Sequence, residues 1–70
     1  MKEIRDNHMI LVREDGSKIH VGDALQSYHG QFSNIRGGHS PRHDGSPGKI
    51  IMDSGEYYPG VYGARWVPEE

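Results

Sequence analysis

The residues of this chain that could do chemistry concentrate in one segment, residues 37–49, which reads GGHSPRHDGSPGK. It carries two histidines four positions apart, a serine between them, an aspartate directly after the second, and two basic side chains. Imidazole and carboxylate groups are zinc ligands, a Ser-His-Asp set can make a nucleophile, and glycine N–H groups beside cations can hold phosphate. Each chemistry requires a geometry that the surrounding elements must supply.

The histidine pair His39 and His43 is the candidate metal site. On a helix, a spacing of four places two imidazoles on one face, but the glycines and prolines around this pair exclude a helix. A flexible loop could still bend both around zinc, with Asp44 or His29 as a third ligand. Solvated loop histidines are the simpler interpretation, so we expect no metal and no other cofactor.

Ser40 beside His39, with Asp44 nearby, is the only arrangement in the segment that suggests catalysis. Adjacent loop residues seldom reach the buried, oriented geometry that a triad needs, and no nucleophile motif surrounds this serine. The glycine spacing fits neither phosphate-binding signature, G-x-x-x-x-G-K-S/T or G-x-G-x-x-G. We therefore expect a protein that is not an enzyme.

Charge is unevenly distributed along the chain, whose 70 residues carry a formal net charge of -2. Residues 36–49 contain three basic side chains against one acidic, whereas residues 50–70 contain one basic against four acidic. A weak nucleic-acid contact through Arg36, Arg42 and Lys49 therefore remains an alternative to a protein contact. The acidic remainder of the chain argues against high affinity for nucleic acid.

Length and composition restrict the class of protein. A chain this short forms one domain with a small core, and pairing as a homodimer is one way to enlarge that core. The absence of cysteine favours a reducing compartment. Near the N-terminus only residues 9–12 form an apolar run, too short for a secretion signal or a bilayer span. These features predict a cytoplasmic protein that does not enter a membrane.

Turn residues divide the chain into short strands. Asp15-Gly16 between residues 9–13 and 18–21 predicts a hairpin with a two-residue turn in which both residues have positive φ. His29-Gly30 predicts a second turn, which leads into residues 31–36. Phe32 and Ile35 lie three apart there, which does not fit strict alternation and indicates a bulge or an irregular strand. The glycine- and proline-rich segment 37–49 then predicts an exposed loop.

The last third of the chain predicts another hairpin and a short closing strand. Residues 49–53 and 56–58 flank a Ser54-Gly55 turn, residues 59–64 suit a single 3-10 turn, and residues 65–67 form the last strand. The fold class is therefore all-β, a small antiparallel barrel over residues 8–68 preceded by a flexible N-terminus over residues 1–7. The predicted core is Ile10, Val12, Ile19, Val21, Leu25, Phe32, Ile35, Ile50, Met52, Tyr58, Val61, Tyr62 and Trp66.

Aromatic residues near the C-terminus provide the candidate contact residues. Strand alternation sends Tyr57 and Tyr58 to opposite faces, so one of them must lie outside the core. We assign Tyr57 to the outside and Tyr58 to the core. With Tyr28 and the basic loop, an exposed tyrosine makes a protein-contact patch, since Tyr and Arg are enriched among interface anchors. The predicted partner-binding residues are Tyr28, Arg36, His39, Arg42, His43, Lys49 and Tyr57.

The sequence GKIIMDSGEYYPGVYGARWV (48–67) resembles the closing half of SH3-like barrels, with a tight turn, an aromatic strand, a one-turn helix and a last short strand. Residues 21–67 also resemble small uncharacterised proteins of tailed bacteriophages. The resemblance implies an SH3-like barrel that acts inside an infected bacterium, where it binds and inhibits a host protein. It differs at residues 44–47, where the phage proteins have a Gly-rich approach containing Ser or Thr.

Overall fold

The computed structural model describes residues 2–42 and 44–69, and in these residues the chain is all-β. Seven strands and one 3-10 helix follow one another along the described chain. They are β1 (Arg5–Asp6), β2 (Met9–Arg13), β3 (Ala24–Gln26), β4 (Phe32–His39), β5 (Lys49–Met52), β6 (Gly55–Tyr57), η1 (Pro59–Tyr62) and β7 (Ala64–Pro68). Within these residues, no helix has the length and apolar character needed to cross a membrane.

The strands form two antiparallel sheets, with the order β1-β2-β7 in the first and β3-β4-β5-β6 in the second. The predicted antiparallel all-β class and the single 3-10 turn before the last strand are confirmed. The strands do not pair as one closed ladder, however. In the described chain β1 and β4 lie side by side without a backbone hydrogen bond between them, and the Asp6 carboxylate instead accepts the Ser40 N–H at 2.8 Å.

Three loops have the same closing hydrogen bond and the same glycine position. In residues 13–17, 27–31 and 42–46, the N–H of the first residue donates to the carbonyl of the fifth, at 2.8, 2.7 and 3.1 Å. The fourth residue is glycine each time, with φ of 89°, 88° and 89°. A three-residue hairpin loop needs positive φ at its last position, which glycine adopts without steric cost. The Asp15-Gly16 and His29-Gly30 turns are therefore present, but with three loop residues each.

The predicted two-residue turn at Asp15-Gly16 is wrong in detail. Among the described residues other than glycine, positive φ occurs at Asn7 and His8, with 51° and 64°, and not at Asp15. Asp15 instead accepts the Ser17 N–H with its side chain at 2.9 Å. The turn with two positive φ angles is therefore Asn7-His8, which joins β1 to β2. Asparagine is common in such tight hairpin turns because it tolerates positive φ.

The N-terminal segment differs from the flexible end expected over residues 1–7. Its described residues, 2–7, belong to the first sheet, where β1 pairs with β2 and Glu3 bridges His20. Ile4 is buried in the core and its carbonyl accepts the Leu11 N–H at 3.0 Å. A single apolar residue among charged neighbours has no periodicity, and its burial adds to the strand pairing that holds the segment.

The core lies between the two sheets and largely matches the sequence prediction. The cluster of buried side chains consists of Ile4, Leu11, Ile19, Leu25, Ile35, Ile50, Met52, Tyr62 and Ala64, with Val21, Tyr57, Val61 and Trp66 packed against it. Ile10 and Val12 are also buried, outside that cluster. Phe32 and Tyr58 were predicted in the core but are exposed. In β4 the inward positions are Ser33 and Ile35, which turns Phe32 outward.

Strand β4 extends further than predicted and shortens the loop. Its register against β5 shifts between Ile35 and Gly37, after the part of the strand in which the Phe32–Ile35 spacing predicted an irregularity; residues 32–34 pair regularly with β3. The strand then continues through two glycines to His39, which pairs with Lys49. Both glycines can pair with β5, because the hydrogen bonds between strands are made by the backbone and need no side chain. Only residues 40–48 connect β4 to β5, and the predicted loop over 37–49 is too long at both ends.

Candidate functional site

The described cations of the basic segment are all engaged by carboxylates. Arg36 binds Asp53 through two nitrogens, Arg42 Nη2 lies 3.3 Å from Asp6 Oδ2, and Lys49 Nζ lies 3.6 Å from Glu56 Oε1. Asp53 raises the pKa of Arg36 by hydrogen bonding. A phosphate would have to compete with these carboxylates for each cation. Because exposed ion pairs of this kind are weak, they lower the positive potential of the segment without blocking its cations from a phosphate.

The histidines of the segment are not gathered into a metal site by the described residues. His39 ends β4 and is exposed, while His43 lies outside the described residues. Across residues 2–42 and 44–69 no cluster of three or more His, Asp or Glu side chains could hold a metal ion. The zinc hypothesis thus receives no ligand set from this part of the chain.

Ser40 has a structural role instead of the geometry of a nucleophile. It is 1% exposed, and both its N–H and its hydroxyl donate to Asp6 Oδ2, at 2.8 and 3.1 Å. The Ser40 N–H, followed by the hydroxyl and the charge of Arg42, lowers the pKa of Asp6 below its usual range. An ionised Asp6 therefore holds the start of the 40–48 loop against β1.

Trp66 fixes the two ends of the same loop. A Cβ added at Gly48 would lie 2.5 Å from Trp66 Cδ1, and one added at Gly38 would lie 2.9 Å from Trp66 Cζ2. The indole therefore lies against both glycines. Any larger side chain at either position would collide with it. Trp66 Nε1 is buried and has no hydrogen-bond partner in the described chain. Residues 38–48 are packed onto the body of the protein at their base.

Tyr57 and Tyr58 exchange the roles predicted for them. Tyr57 is half-buried, packs against the core and meets the Tyr62 ring edge-on at 5.4 Å between centroids. Its hydroxyl lies 3.1 Å from Ser54 Oγ. Tyr58 is 56% exposed. The alternation argument correctly predicts one exposed tyrosine but not which, because nothing in the local sequence fixes the inward phase of β6.

Among residues 2–42 and 44–69, three large apolar side chains are exposed, and we call Tyr28, Phe32 and Tyr58 the aromatic surface. Their exposed fractions are 73%, 71% and 56%. Two of them flank η1: the Tyr28 N–H donates to the Val61 carbonyl at 3.0 Å, and the Tyr58 carbonyl accepts the Val61 N–H at 3.1 Å. The 3-10 helix therefore holds the backbones of Tyr28 and Tyr58 in a fixed relation.

Polar groups border the aromatic surface. Lys49 Nζ lies 5.4 Å from the centroid of the Tyr58 ring, within the range of a cation–π contact. On the other side of η1, the rings of Tyr28 and His29 lie 4.1 Å apart. Of the predicted contact residues, Tyr28 and Lys49 thus border η1, whereas Arg36 and Arg42 are held by carboxylates elsewhere.

Phe32 also lines a groove beside β3, which we call the β3 groove. The groove has a volume of about 420 Å³ and runs between the loop of the first hairpin and the second sheet. Its lining combines acidic and apolar residues: Arg13, Glu14, Asp15, Ala24, Leu25, Gln26, Phe32, Tyr62 and Gly63. Sequence reasoning missed this groove because its two walls come from hairpins that are remote in the chain.

The chain matches no protein-family model, and comparison with curated proteins and with solved structures finds no significant match. The geometry of the described residues must therefore carry the functional argument.

Proposed function

We propose that this protein is a non-catalytic binding module that contacts another protein through the aromatic surface, with Lys49 and His29 at its border. The observation that carries the proposal is the exposure of three large apolar rings, 56% to 73%, in a chain that can fill its core without them. Aromatic side chains are enriched at protein-interaction sites relative to the rest of a protein surface. Small size favours this role, since the chain binds through its surface instead of an enclosed cavity.

Rigid support makes these rings suitable as anchors. Tyr28 and Tyr58 are linked through the two backbone hydrogen bonds of Val61, and Phe32 begins the strand that pairs with β3 and β5. An anchor that is already ordered loses less conformational entropy on binding. Tyrosine and tryptophan provide large contact areas at few rotatable bonds, which makes them frequent hot spots.

The finer form of the proposal follows the sequence resemblance. We propose that the fold is related to SH3-like barrels, with η1 and its Tyr28–Val61 hydrogen bond joining the ends of the second sheet in place of a strand ladder. We further propose a phage protein that acts in the cytoplasm of an infected bacterium and inhibits a host protein. The resemblance over residues 21–67 is the support for this part.

The test compares capture of partners by two variants of equal size. The aromatic-surface variant carries Tyr28→Ser, Phe32→Ser and Tyr58→Ser. The control carries Arg36→Ser, His39→Ser and Arg42→Ser in the basic segment. Proteins captured from a bacterial lysate are quantified by mass spectrometry, and each candidate is then titrated as a purified protein.

The proposal predicts that a purified partner binds the control within about threefold of the unmodified chain, while the aromatic-surface variant loses about a hundredfold or more in affinity. Equal binding by the aromatic-surface variant would refute the proposed site. Loss confined to the basic-segment control, with a steep dependence on salt, would instead support the nucleic-acid alternative or an acidic partner.

A further inference from the structure

We propose that the free edge of β3 binds an extended segment of a partner protein in which apolar residues alternate with lysine or arginine. This inference rests on the proposed function and specifies the chemistry of the partner. Three observations carry it: the direction of the β3 backbone groups, the apolar groove beside them, and the charge of the loop that forms the far wall of that groove.

The outer edge of β3 exposes unpaired backbone groups. The Asp23 carbonyl accepts the Ile35 N–H at 3.0 Å, and the Ser27 N–H donates to the Gln31 carbonyl at 2.7 Å, so odd-numbered positions of this strand face β4 and its hairpin loop. Strand alternation then directs the backbone groups of Ala24 and Gln26 to the opposite edge. In the described sheet order no strand pairs with that edge at Ala24 and Gln26, and only the next outward residue is engaged, where the Tyr28 N–H donates to the Val61 carbonyl. It is therefore available to a strand from another chain.

The β3 groove lies along this edge and offers apolar contacts. Leu25 and Tyr62 are buried residues in its lining, while Ala24 and Phe32 belong to the exposed face of the second sheet. A volume of about 420 Å³ lies within the range of clefts that hold ligands. An extended segment paired with β3 would place alternate side chains against these groups, because strand side chains point to opposite faces.

Glu14 and Asp15, in the loop of residues 13–17, make the groove acidic. Its one cation, Arg13, is already committed: Nη2 lies 2.9 Å from Asp23 Oδ2, and Nη1 donates to the Lys18 carbonyl at 2.9 Å. Asp15 accepts hydrogen bonds from Ser17, and Glu14 has no ion pair among the described residues. Two carboxylates next to apolar surface favour a cationic, apolar segment over an acidic one.

The other edge of the same sheet provides the comparison. Strand β6 carries Glu56, but this carboxylate is paired with Lys49 at 3.6 Å. A charge reversal there changes the net charge of the protein as much as a reversal at Glu14 does. Glu56→Lys is therefore the matched control for Glu14→Lys.

The test uses short synthetic peptides and the ¹⁵N-labelled full chain. The probe is a capped hexapeptide that alternates lysine and valine, compared with a glutamate–valine hexapeptide and with a lysine–valine hexapeptide methylated on all of its backbone nitrogens. We expect saturable shifts of the Ala24 and Gln26 amide resonances with the first probe. Affinity should fall about tenfold for the glutamate peptide and for Glu14→Lys, and stay within about twofold for Glu56→Lys. Backbone methylation should abolish binding, because it removes the donors of the ladder.

Three results would overturn the inference: unshifted Ala24 and Gln26 amides, equal affinity for the lysine and glutamate peptides, or full binding of the methylated peptide. None of these depends on the variant folding, since the peptides are compared on the unmodified chain. If the peptides fail while the aromatic-surface variant still loses its purified partner, the β3 edge is wrong and the proposed function stands. If the peptides bind as expected while that variant keeps its partner, the proposed aromatic surface is wrong.

Discussion

The histidine-rich segment and the aromatic surface differ in what their side chains already do. In the segment, Ser40 is buried, Arg42 is paired with Asp6, and Trp66 covers the glycines at its base. On the aromatic surface, Phe32 and Tyr28 expose more than two thirds of their area. Residues engaged inside the fold stabilise it, whereas large exposed rings gain little until a partner covers them. An unusual composition is therefore a weaker indication of a contact site than apolar side-chain area that the fold leaves exposed.

The largest expected effect comes from the glycines under Trp66. In Gly48→Ala the new Cβ would lie 2.5 Å from Trp66 Cδ1 and 2.9 Å from Pro41 Cδ, so the indole must shift. We expect a loss of about 3 kcal/mol in the free energy of unfolding, the upper end for overpacking. Gly37→Ala is the control, since a Cβ there meets no atom within 4 Å. Thermal unfolding measures both, and equal melting temperatures would contradict the packing described for the segment.

The two adjacent tyrosines sharpen the contrast between core and surface. Tyr57→Ala removes a ring that packs on the core and on Tyr62, so we expect a loss of about 2 kcal/mol. Tyr58→Ala should stay within about 0.5 kcal/mol, because its ring is 56% exposed. Urea denaturation at pH 7 provides the measurement. The reverse order of the two variants would show that the inward phase of β6 is assigned wrongly.

The Asp6 contact should have a smaller but measurable effect. Asp6→Ala leaves the buried Ser40 N–H and hydroxyl without their acceptor, which we expect to cost about 1.5 kcal/mol in the free energy of unfolding. Asp53→Ala breaks only the exposed pair with Arg36 and should cost less than about 0.5 kcal/mol. Urea denaturation compares the two variants. A similar cost for both would show that the Asp6–Ser40 contact contributes no more to stability than an exposed ion pair.

Acid should weaken the same contact. Hydrogen bonds from Ser40 lower the pKa of Asp6, and the His20 N–H lowers that of Asp23. A carboxylate whose pKa is lower in the folded state contributes fully above its unfolded pKa and loses that contribution as the pH falls through the folded value. We therefore expect the two carboxylates to add a constant contribution from pH 7 to 5 and a falling one below about pH 4. A smaller acid loss in Asp6→Asn, measured by urea denaturation against pH, is the check.

Much of the fold could be predicted from the sequence because turn chemistry is local. Gly16, Gly30 and Ser54-Gly55 mark hairpins whose backbone angles glycine alone adopts readily, and β-branched runs mark the strands between them. The N-terminal strand could not be predicted, because Ile4 is buried by core residues that lie far from it in the sequence. Residues 13–17, 27–31 and 42–46 share a glycine at the fourth position, but the Asp-Gly pair led to the prediction of a two-residue turn at the first of them.

The candidate site was less accessible to sequence reasoning. Phe32 was assigned to the core as one of the two large apolar side chains in residues 31–36, but the inward residue before Ile35 is the small Ser33, and that position gives no apolar signal. The cations of residues 36–49 looked available because their partners Asp6, Asp53 and Glu56 come from other parts of the chain. Ion pairing of this kind depends on tertiary structure, which local composition does not specify.

The most direct test of the central claim is site-specific photo-cross-linking in bacterial cells that produce the chain. A photoreactive phenylalanine analogue replaces Phe32 in one variant and Arg42 in another, and adducts are identified by mass spectrometry. Contact through the aromatic surface predicts a discrete protein adduct from position 32, lost when Tyr28 and Tyr58 are changed to serine, and none from position 42. An adduct from position 42 alone would contradict the claim and return the contact site to the histidine-rich segment.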